Sequence, residues 1–153
     1  MVRPCLEHRQ RGSRNCGIDG ALPAGHDGTV PPRTRLPLLR VLIVDDHRSF
    51  RHAARRVLEW RGYAVVGEAG SAAAAIDAAA RVSPDAVMLD VRLRDGSGFD
   101  VARALTQVRP GLAVLLVSSA DYRHCALVHE SGASGFMLKS ELAHADFAAY
   151  WPT

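Results

Sequence analysis

The sequence lacks the features that define several familiar classes of protein. None of its apolar runs approaches the roughly 20 residues that a membrane-spanning helix needs. The amino terminus, MVRPCLEHRQRGSRN, has no apolar core behind its charges, which excludes a secretory signal. The cysteines, Cys5, Cys16 and Cys125, are odd in number and have no ligand-like spacing. We therefore expect free thiols in a reducing cytoplasm and no zinc site.

Lysine is nearly absent, and the positive charge is unevenly distributed. Lys139 is the only lysine, beside 18 arginines. Residues 1–39 hold six arginines against three acidic residues, whereas residues 40–153 hold 13 basic and 13 acidic side chains. Residues 1–39 are also rich in Gly, Pro and Arg and have almost no periodic apolar positions, so we predict a disordered extension. We expect a solvated tail rather than an arm that contacts nucleic acid, and assign it no function.

From residue 40 the chain alternates short apolar segments with amphipathic ones. Strands are predicted at 40–44, 63–68, 86–90, 113–117 and 135–138. Helices are predicted between them, the first ending near 61 and the next three at 72–82, 99–108 and 121–130, with a short fifth from 141. Five such units in about 110 residues predict an α/β fold with a doubly wound five-stranded parallel sheet and helices on both faces.

Right-handed crossovers place the carboxyl ends of all five strands along one edge of the sheet. The polar residues that follow these ends are Asp45, Asp46, Asp90, Ser118, Ser119 and Lys139. Clustered carboxylates repel one another and require a cation, for which Mg²⁺ with oxygen ligands is suited. Each residue also has a structural interpretation, because Asp45 and Asp46 could cap the first helix and Asp90 could form a turn. We expect His47 and His52 to be solvated rather than ligands.

Four segments carry a resemblance to a known family: LIVDD at 42–46, VMLDVRLRDGSGFD at 87–100, LLVSSAD at 115–121 and GASGFMLKSEL at 132–142. In order, spacing and strand placement, residues 40 to about 150 resemble a response-regulator receiver domain of bacterial two-component systems, with the flavodoxin-like fold of the chemotaxis regulators. The last two segments are most similar to receivers that precede a helix-turn-helix output domain. The resemblance implies a cytoplasmic signalling switch rather than an enzyme.

The resemblance also implies roles for individual residues. Asp90 matches the phosphoacceptor, which attacks the phosphohistidine of a partner histidine kinase. The Mg²⁺ ligands are matched by Asp45, Asp46, Asp90 and the backbone carbonyl of Arg92, with Asp45 acting mainly through water. The phosphoryl-binding and switch positions are matched by Ser118, Ser119, Lys139 and Phe136.

Two positions and the carboxyl terminus depart from the family pattern. Arg94 and Ser140 stand where proline is frequent. Only 14 residues follow Lys139, so we expect a shortened final helix and no output domain in residues 40–153. The chain would then be a stand-alone receiver or the remnant of a DNA-binding regulator.

Three function classes remain open. A phosphorylatable switch is favoured because all five active-site positions are occupied. A pseudo-receiver that is never phosphorylated would be an interaction module. A Mg²⁺-dependent phosphohydrolase is the third, but Val91 and Arg92 after Asp90 do not match the D-x-D pattern of haloacid-dehalogenase-type enzymes.

In this family the response to phosphorylation emerges on the face made by helix four, strand five and helix five. Here that face would include Tyr122, Leu127, Phe136 and a terminal cluster of Phe147, Tyr150 and Trp151. The terminal aromatics either cap the core beneath a shortened helix or form an exposed patch for self-association or a downstream protein. Because residues 40–153 carry no net charge, we expect no direct DNA binding. No contact with a membrane is expected.

Overall fold

A five-stranded parallel sheet forms the centre of the fold in the computed structural model, which describes residues 38–151. The strands are β1 (Arg40–Val44), β2 (Ala64–Ala69), β3 (Ala86–Asp90), β4 (Ala113–Ser118) and β5 (Gly135–Leu138). Their order across the sheet is β2–β1–β3–β4–β5. A small antiparallel hairpin follows β3 and pairs Arg92–Leu93 with Gly96–Ser97. Residues 1–37 of the predicted disordered extension lie outside the described residues.

Helices cover both faces of the sheet. They are α1 (Arg48–Trp60), α2 (Ala72–Val82), α3 (Gly98–Val108) and a short α4 (Ala126–Glu130). Two 3₁₀ turns, Lys139–His144 and Phe147–Ala149, close the described chain. Within residues 38–151 no helix is long and apolar enough to cross a bilayer. The prediction of an α/β fold with a doubly wound five-stranded parallel sheet is confirmed.

The core lies on both sides of the sheet, which explains why the strand sequences are continuously apolar. Successive side chains of a strand point to opposite faces, and here both faces are covered. Leu42 and Leu89 pack in one cluster with side chains of α2 and α3. Their neighbours Ile43 and Met88 pack in the second cluster with α1 and the carboxyl-terminal turns. All four are inaccessible to solvent.

The fourth helix is shorter than predicted, because it begins at Ala126 instead of residue 121. A carboxylate oxygen of Asp121 accepts a hydrogen bond from the Arg123 amide at 2.9 Å. The Cys125 amide donates to the Tyr122 carbonyl, also at 2.9 Å, which closes a turn. Local bonds of this kind satisfy the backbone without a helix and compete with helix formation. The segment from β4 to α4 is therefore a turn-rich loop.

The predicted fifth helix is replaced by the two 3₁₀ turns, which bury an aromatic cluster made of Tyr63, Phe147 and Trp151. Phe147 stacks on Trp151 with 5.2 Å between ring centroids, and Tyr63 meets both rings edge-on. Phe147 and Trp151 are 2% and 1% exposed. The interpretation of these two side chains as an exposed patch is wrong, and the interpretation as a cap on the core is confirmed.

The rest of the expected output face is also largely covered. Phe136 is buried, Tyr122 and Tyr150 are half-buried, and Leu127 is exposed. Phe136 therefore contributes little accessible surface to the face expected to include it. Its ring packs edge-on against Tyr122, which in turn packs against Phe99.

Candidate functional site

Strand register brings the predicted site residues to one edge of the sheet. The paired residues at this edge are Val44 with Leu89, Asp90 with Val117, and Ser118 with Leu138. Asp45 and Asp46 follow directly after β1, and Lys139 follows directly after β5. The strands thus deliver carboxylates, hydroxyls and one ammonium group to the same edge without any long loop to position them.

These residues surround an open cleft of about 480 Å³. The predicted residues that line it are Asp46, Asp90, Arg92, Ser118, Ser119 and Lys139. Asp45 is fully buried but still contacts Lys139. Phe136 does not line the cleft. His47 and Arg94 also line it, although the sequence pattern predicts neither as a site residue.

Lys139 joins two buried carboxylates. Its ammonium nitrogen Nζ lies 2.6 Å from Asp45 Oδ2 and 2.9 Å from Asp90 Oδ2. The side chains of Asp45 and Asp90 are 0% and 4% exposed, and that of Lys139 is 14% exposed. The ammonium also lies 4.7 Å from the centre of the Phe50 ring. One ammonium group is thus paired with two carboxylates that are shielded from solvent.

The protonation of this group follows from burial and mutual charge. Burial raises the pKa of Asp90, and although the hydrogen bond from Lys139 opposes this, the nearby Asp45 charge raises it further. Burial on its own lowers the pKa of Lys139. Its hydrogen bonds to Asp45 and Asp90 outweigh that effect, so the pKa of Lys139 is raised and the ammonium stays charged at neutral pH.

Asp45, Asp46 and Asp90, which we call the carboxylate cluster, carry more negative charge than Lys139 neutralises. Asp45 Oδ2 and Asp46 Oδ1 are buried and receive no well-directed hydrogen bond, although each lies beside a nitrogen. One ligand atom from each member of the cluster and from His47 lies within 4.8 Å of the others. Several carboxylate oxygens at this spacing fit a hard divalent cation such as Mg²⁺.

The structure excludes the helix-capping role for Asp45 and Asp46 but shows the turn at Asp90. The N-cap residue of α1 is His47, which makes no side-chain capping bond, so Asp45 and Asp46 do not cap this helix. Asp45 Oδ1 instead accepts from the His47 amide at 2.8 Å, just before the helix. Asp90 does form a turn, because its Oδ1 accepts from the Arg92 amide at 3.2 Å. Its other oxygen remains directed to Lys139, so the turn and the site coexist.

His47 is exposed and in contact with the cluster at the same time. Its Nδ1 lies 2.8 Å from Asp46 Oδ1, while two thirds of its side chain remains accessible. Arg94 is more exposed and places Nε 3.6 Å from Asp46 Oδ2. His52 is exposed, as expected. The sequence signal for the His47 contact is its position directly after two strand-end aspartates.

The backbone after β3 returns very close to Asp90. A Cβ atom on Gly98 would lie 2.1 Å from the Asp90 carbonyl oxygen, so only glycine fits there. The Gly98 amide donates to the Val91 carbonyl at 2.8 Å, and α3 starts at this point. Ser97 caps the helix by accepting from the Phe99 amide. The glycine-rich sequence after Asp90 therefore folds the hairpin tightly onto the cleft.

The two serines after β4 differ in exposure. Ser118 is buried, and its hydroxyl oxygen accepts from the Ala120 amide at 3.2 Å. Its hydroxyl proton is free to donate toward the cleft. Ser119 is exposed on the rim. Ser118 is thus the more precisely held of the two.

The chain belongs to the response regulator receiver domain family, whose model matches residues 41–146. The nitrate/nitrite response regulator NarP of Escherichia coli is 41% identical over 103 residues, which cover 65% of this chain and 47% of NarP. The DNA-binding transcriptional activator DevR/DosR of Mycobacterium tuberculosis is 37% identical over 117 residues, covering 71% of this chain and 52% of that protein. The chain spans about half the length of these curated relatives.

Solved structures lead to the same family. The signal receiver domain of the putative response regulator NarL from Mycobacterium tuberculosis is 35% identical, with a TM-score of 0.62, and the match covers 70% of this chain and 91% of that one. A LuxR-family two-component response regulator from Aurantimonas is 32% identical with a TM-score of 0.64, covering 71% of this chain and 81% of that one. The family resemblance of the four sequence segments is thereby confirmed.

Proposed function

We propose that the chain is a phosphorylatable receiver that accepts a phosphoryl group onto Asp90 from a histidine kinase. The observation that carries this proposal is the position of Asp90: a buried carboxylate on the central strand, paired with Lys139 at 2.9 Å, at the wall of an open cleft. A carboxylate oxygen of Asp90 attacks phosphorus, the phosphorus–nitrogen bond of the phosphohistidine breaks, and its electron pair stays on the imidazole. The product is an aspartyl phosphate.

The residues that hold Mg²⁺ in this proposal are Asp45, Asp46, Asp90 and the backbone carbonyl of Arg92. Support comes from the buried oxygens of Asp45 and Asp46 that receive no well-directed hydrogen bond. When bound, Mg²⁺ neutralises charge on the transferring phosphoryl group. Lys139 supplies the protein's own positive charge to the same group.

The response to phosphorylation runs through Ser118 and Lys139. The Ser118 hydroxyl has a free proton and moves to donate to a phosphoryl oxygen. That movement draws in the loop from β4 to α4, and the ring of Phe136 follows. Ser119 contributes a further hydroxyl at the rim. The loop is suited to this movement because it is a series of local turns instead of a regular helix.

We place the chain in the cytoplasm, and its partners in this proposal are proteins: a histidine kinase and, downstream, a second protein or a second copy of this chain. Residues 40–153 carry no net charge, so the receiver has no overall excess of positive charge for binding DNA. The curated relatives are transcriptional regulators, so we place the chain in transcriptional signalling. We expect no sequence-specific DNA binding by this chain.

The decisive experiment is incubation of the full chain with acetyl phosphate and Mg²⁺, followed by intact mass measurement. We expect one phosphoryl adduct, its loss in Asp90→Asn, and its loss when EDTA removes the metal. The matched control is Asp100→Asn, which changes an aspartate that is 74% exposed on α3. An adduct that persists in Asp90→Asn would contradict the phosphoacceptor role. A wild-type protein that forms no adduct would favour the pseudo-receiver.

A further inference from the structure

Asp95 lies at the tip of the hairpin, yet it is bonded to a different element. Its Oδ1 accepts from the Ala72 amide at 2.7 Å, and its Oδ2 accepts from the Ala73 amide at 3.1 Å. These are the first two amides of α2, which have no partners within the helix. Ser71 caps the same helix locally by accepting from the Ala74 amide at 3.1 Å. One helix terminus thus has a local cap and a distant one.

Charge and close packing both support this link. The hydrogen bonds from the Ala72 and Ala73 backbone amides lower the pKa of Asp95, so its carboxylate is charged at neutral pH. A negative charge at a helix amino terminus is favourable because it faces the positive end of the helix dipole. The backbone of the hairpin also approaches α2 closely, since a Cβ on Gly96 would lie 3.3 Å from that of Ala72.

The other end of the same hairpin is attached to the site. The Arg92 amide donates to Asp90 Oδ1 at 3.2 Å, and the buried side chain of Leu93 anchors the first strand in the core. Arg94, the residue before Asp95, places Nε 3.6 Å from Asp46 Oδ2. The hairpin therefore spans from the carboxylate cluster to α2, and Asp95 makes the bonds at the far end.

We infer that Asp95 is a positioning residue for the metal and phosphoacceptor site. By tying the hairpin to α2 it fixes the position of the Arg92 carbonyl and of Arg94 relative to the carboxylate cluster. It does this without touching the metal or the phosphoryl group. Without this tie the hairpin keeps its anchors at Leu93 and near Asp90, but its tip is no longer bonded to α2, and the Arg92 carbonyl is less well held. The inference rests on the proposed function, because it assumes that the site binds Mg²⁺.

The test compares the two caps of α2 in the full chain. Asp95→Ala removes the distant cap, and Ser71→Ala removes the local cap without touching the hairpin. Isothermal titration with Mg²⁺ measures metal affinity, and thermal unfolding measures stability. We expect Asp95→Ala to weaken Mg²⁺ binding roughly tenfold, as loss of an outer positioning contact does in other metal sites. We expect Ser71→Ala to lower the melting temperature without changing Mg²⁺ affinity.

A third variant and a second measurement separate the remaining outcomes. Asp95→Ser keeps one short acceptor oxygen, and we expect an intermediate Mg²⁺ affinity. At saturating Mg²⁺, the rate of phosphorylation of Asp95→Ala by acetyl phosphate should approach that of the wild type. Equal weakening in Asp95→Ala and Ser71→Ala would overturn the inference, because helix stability would then explain both. Wild-type affinity in Asp95→Ala would also overturn it. A wild-type chain that binds no Mg²⁺ would instead overturn the metal role in the proposed function, and this inference with it.

Discussion

Asp45 and Asp90 of the carboxylate cluster and Phe147 and Trp151 of the aromatic cluster are all nearly inaccessible to water, but the two pairs are held by different forces. Asp45 and Asp90 are charges removed from solvent, and they share one cation, Lys139. Phe147 and Trp151 are apolar rings stacked 5.2 Å apart. Burial of the rings stabilises the fold in proportion to area. Burial of the carboxylates opposes folding unless their charge is neutralised.

The difference shows that burial alone does not identify a structural residue. The aromatic cluster would serve its purpose in any protein that must close a shortened terminus. The carboxylate cluster brings three acidic side chains together beside a single ammonium group, which costs stability and is retained where a ligand is bound. Truncation of the aromatic cluster should therefore lower stability and leave phosphorylation intact, whereas a change at the carboxylate cluster or Lys139 should alter phosphorylation and make stability depend on Mg²⁺.

The largest loss of stability is expected from truncating the aromatic cluster. Trp151→Ala should lower the free energy of unfolding by about 3–5 kcal/mol, because it leaves a large cavity between Phe147 and Tyr63. Urea unfolding measures the loss. Trp60→Ala is the matched control, since Trp60 is 81% exposed, and it should change stability by less than about 0.5 kcal/mol. Equal losses in the two variants would show that the terminus does not close the core.

The indole of Trp151 allows a finer distinction. Its Nε1 is buried without a hydrogen-bond partner among residues 38–151. Trp151→Phe removes that polar atom together with some volume, so it should cost far less than Trp151→Ala. Both variants should still be phosphorylated below their melting temperatures, because neither changes the carboxylate cluster.

The second largest effect is expected from Lys139→Ala without divalent cations. The sequence alone predicts little change in stability, but the burial of Lys139 between Asp45 and Asp90 revises that expectation. The variant leaves two buried carboxylates facing each other, which should cost about 2–3 kcal/mol at neutral pH, toward the low end for buried pairs because the site borders an open cleft. Mg²⁺ should restore much of this loss, as measured by urea unfolding with and without the metal.

Two further variants define the charge effect. Asp90→Asn combined with Lys139→Ala should be more stable than Lys139→Ala alone, because one repelling charge is gone. Arg94→Ala removes a cation that is 80% exposed and should change stability by less than about 0.5 kcal/mol. A Lys139→Ala protein as stable as the wild type in EDTA would mean that the cluster is not charged as described.

The sequence predicts the sheet edge well because that edge depends on strand periodicity. Parallel strands bring their carboxyl ends together whatever the loops do, so Asp45, Asp90 and Lys139 can be placed without coordinates. The strand bounds agree with the prediction to within one residue. The alanine-rich second helix and its Ser71 cap are likewise predicted by local chemistry alone.

The remainder depends on contacts between residues distant in sequence. From the sequence, Asp95 is predicted to be an ordinary turn residue before glycine. Nothing in the local pattern shows that its carboxylate accepts hydrogen bonds from α2. The late start of α4 is a different case, because it depends on local hydrogen bonds that compete with helical periodicity. The burial of Phe147 and Trp151 depends on Tyr63, more than eighty residues earlier in the chain.

A smaller effect is expected from Ser118→Ala, which should lower stability less than it weakens the response to phosphorylation. Ser118→Ala loses the acceptor for the Ala120 amide, which should cost about 1 kcal/mol of stability. It should weaken the response to phosphorylation more, by about 1.5–3 kcal/mol, because a bond to a charged group is lost. Hydrogen exchange of residues 118–125 with and without acetyl phosphate measures that response. The control is Ser134→Ala, because Ser134 is exposed and does not line the cleft, and equal responses in the Ser118 and Ser134 variants would contradict the role of Ser118.

The smallest effect tests whether a carboxylate near the carboxyl edge of the sheet stabilises the fold when it is paired with its own arginines. Glu68 on β2 accepts hydrogen bonds from Arg55 at 2.7 Å and Arg51 at 3.1 Å. Burial on its own raises the pKa of Glu68, but the bonds and charges of the two arginines lower it by more. Because the folded protein binds this proton less readily than the unfolded chain, the contribution is present above the unfolded pKa and is lost as pH falls through the folded pKa.

Glu68→Gln should therefore cost less than about 1 kcal/mol at pH 7, since the pair is partly exposed and screened by water. The difference from the wild type should shrink as the pH falls below about 4.5, where the unfolded carboxylate becomes protonated. Urea unfolding of both proteins between pH 3 and pH 7 measures this, with Glu59→Gln as a control on the same surface. The loss of stability in Lys139→Ala should also shrink as the pH falls, but for a different reason: protonation of Asp90 relieves its repulsion with Asp45. If Glu68→Gln instead stabilised the fold at neutral pH, position at the sheet edge, and not local pairing, would decide whether a carboxylate stabilises the protein.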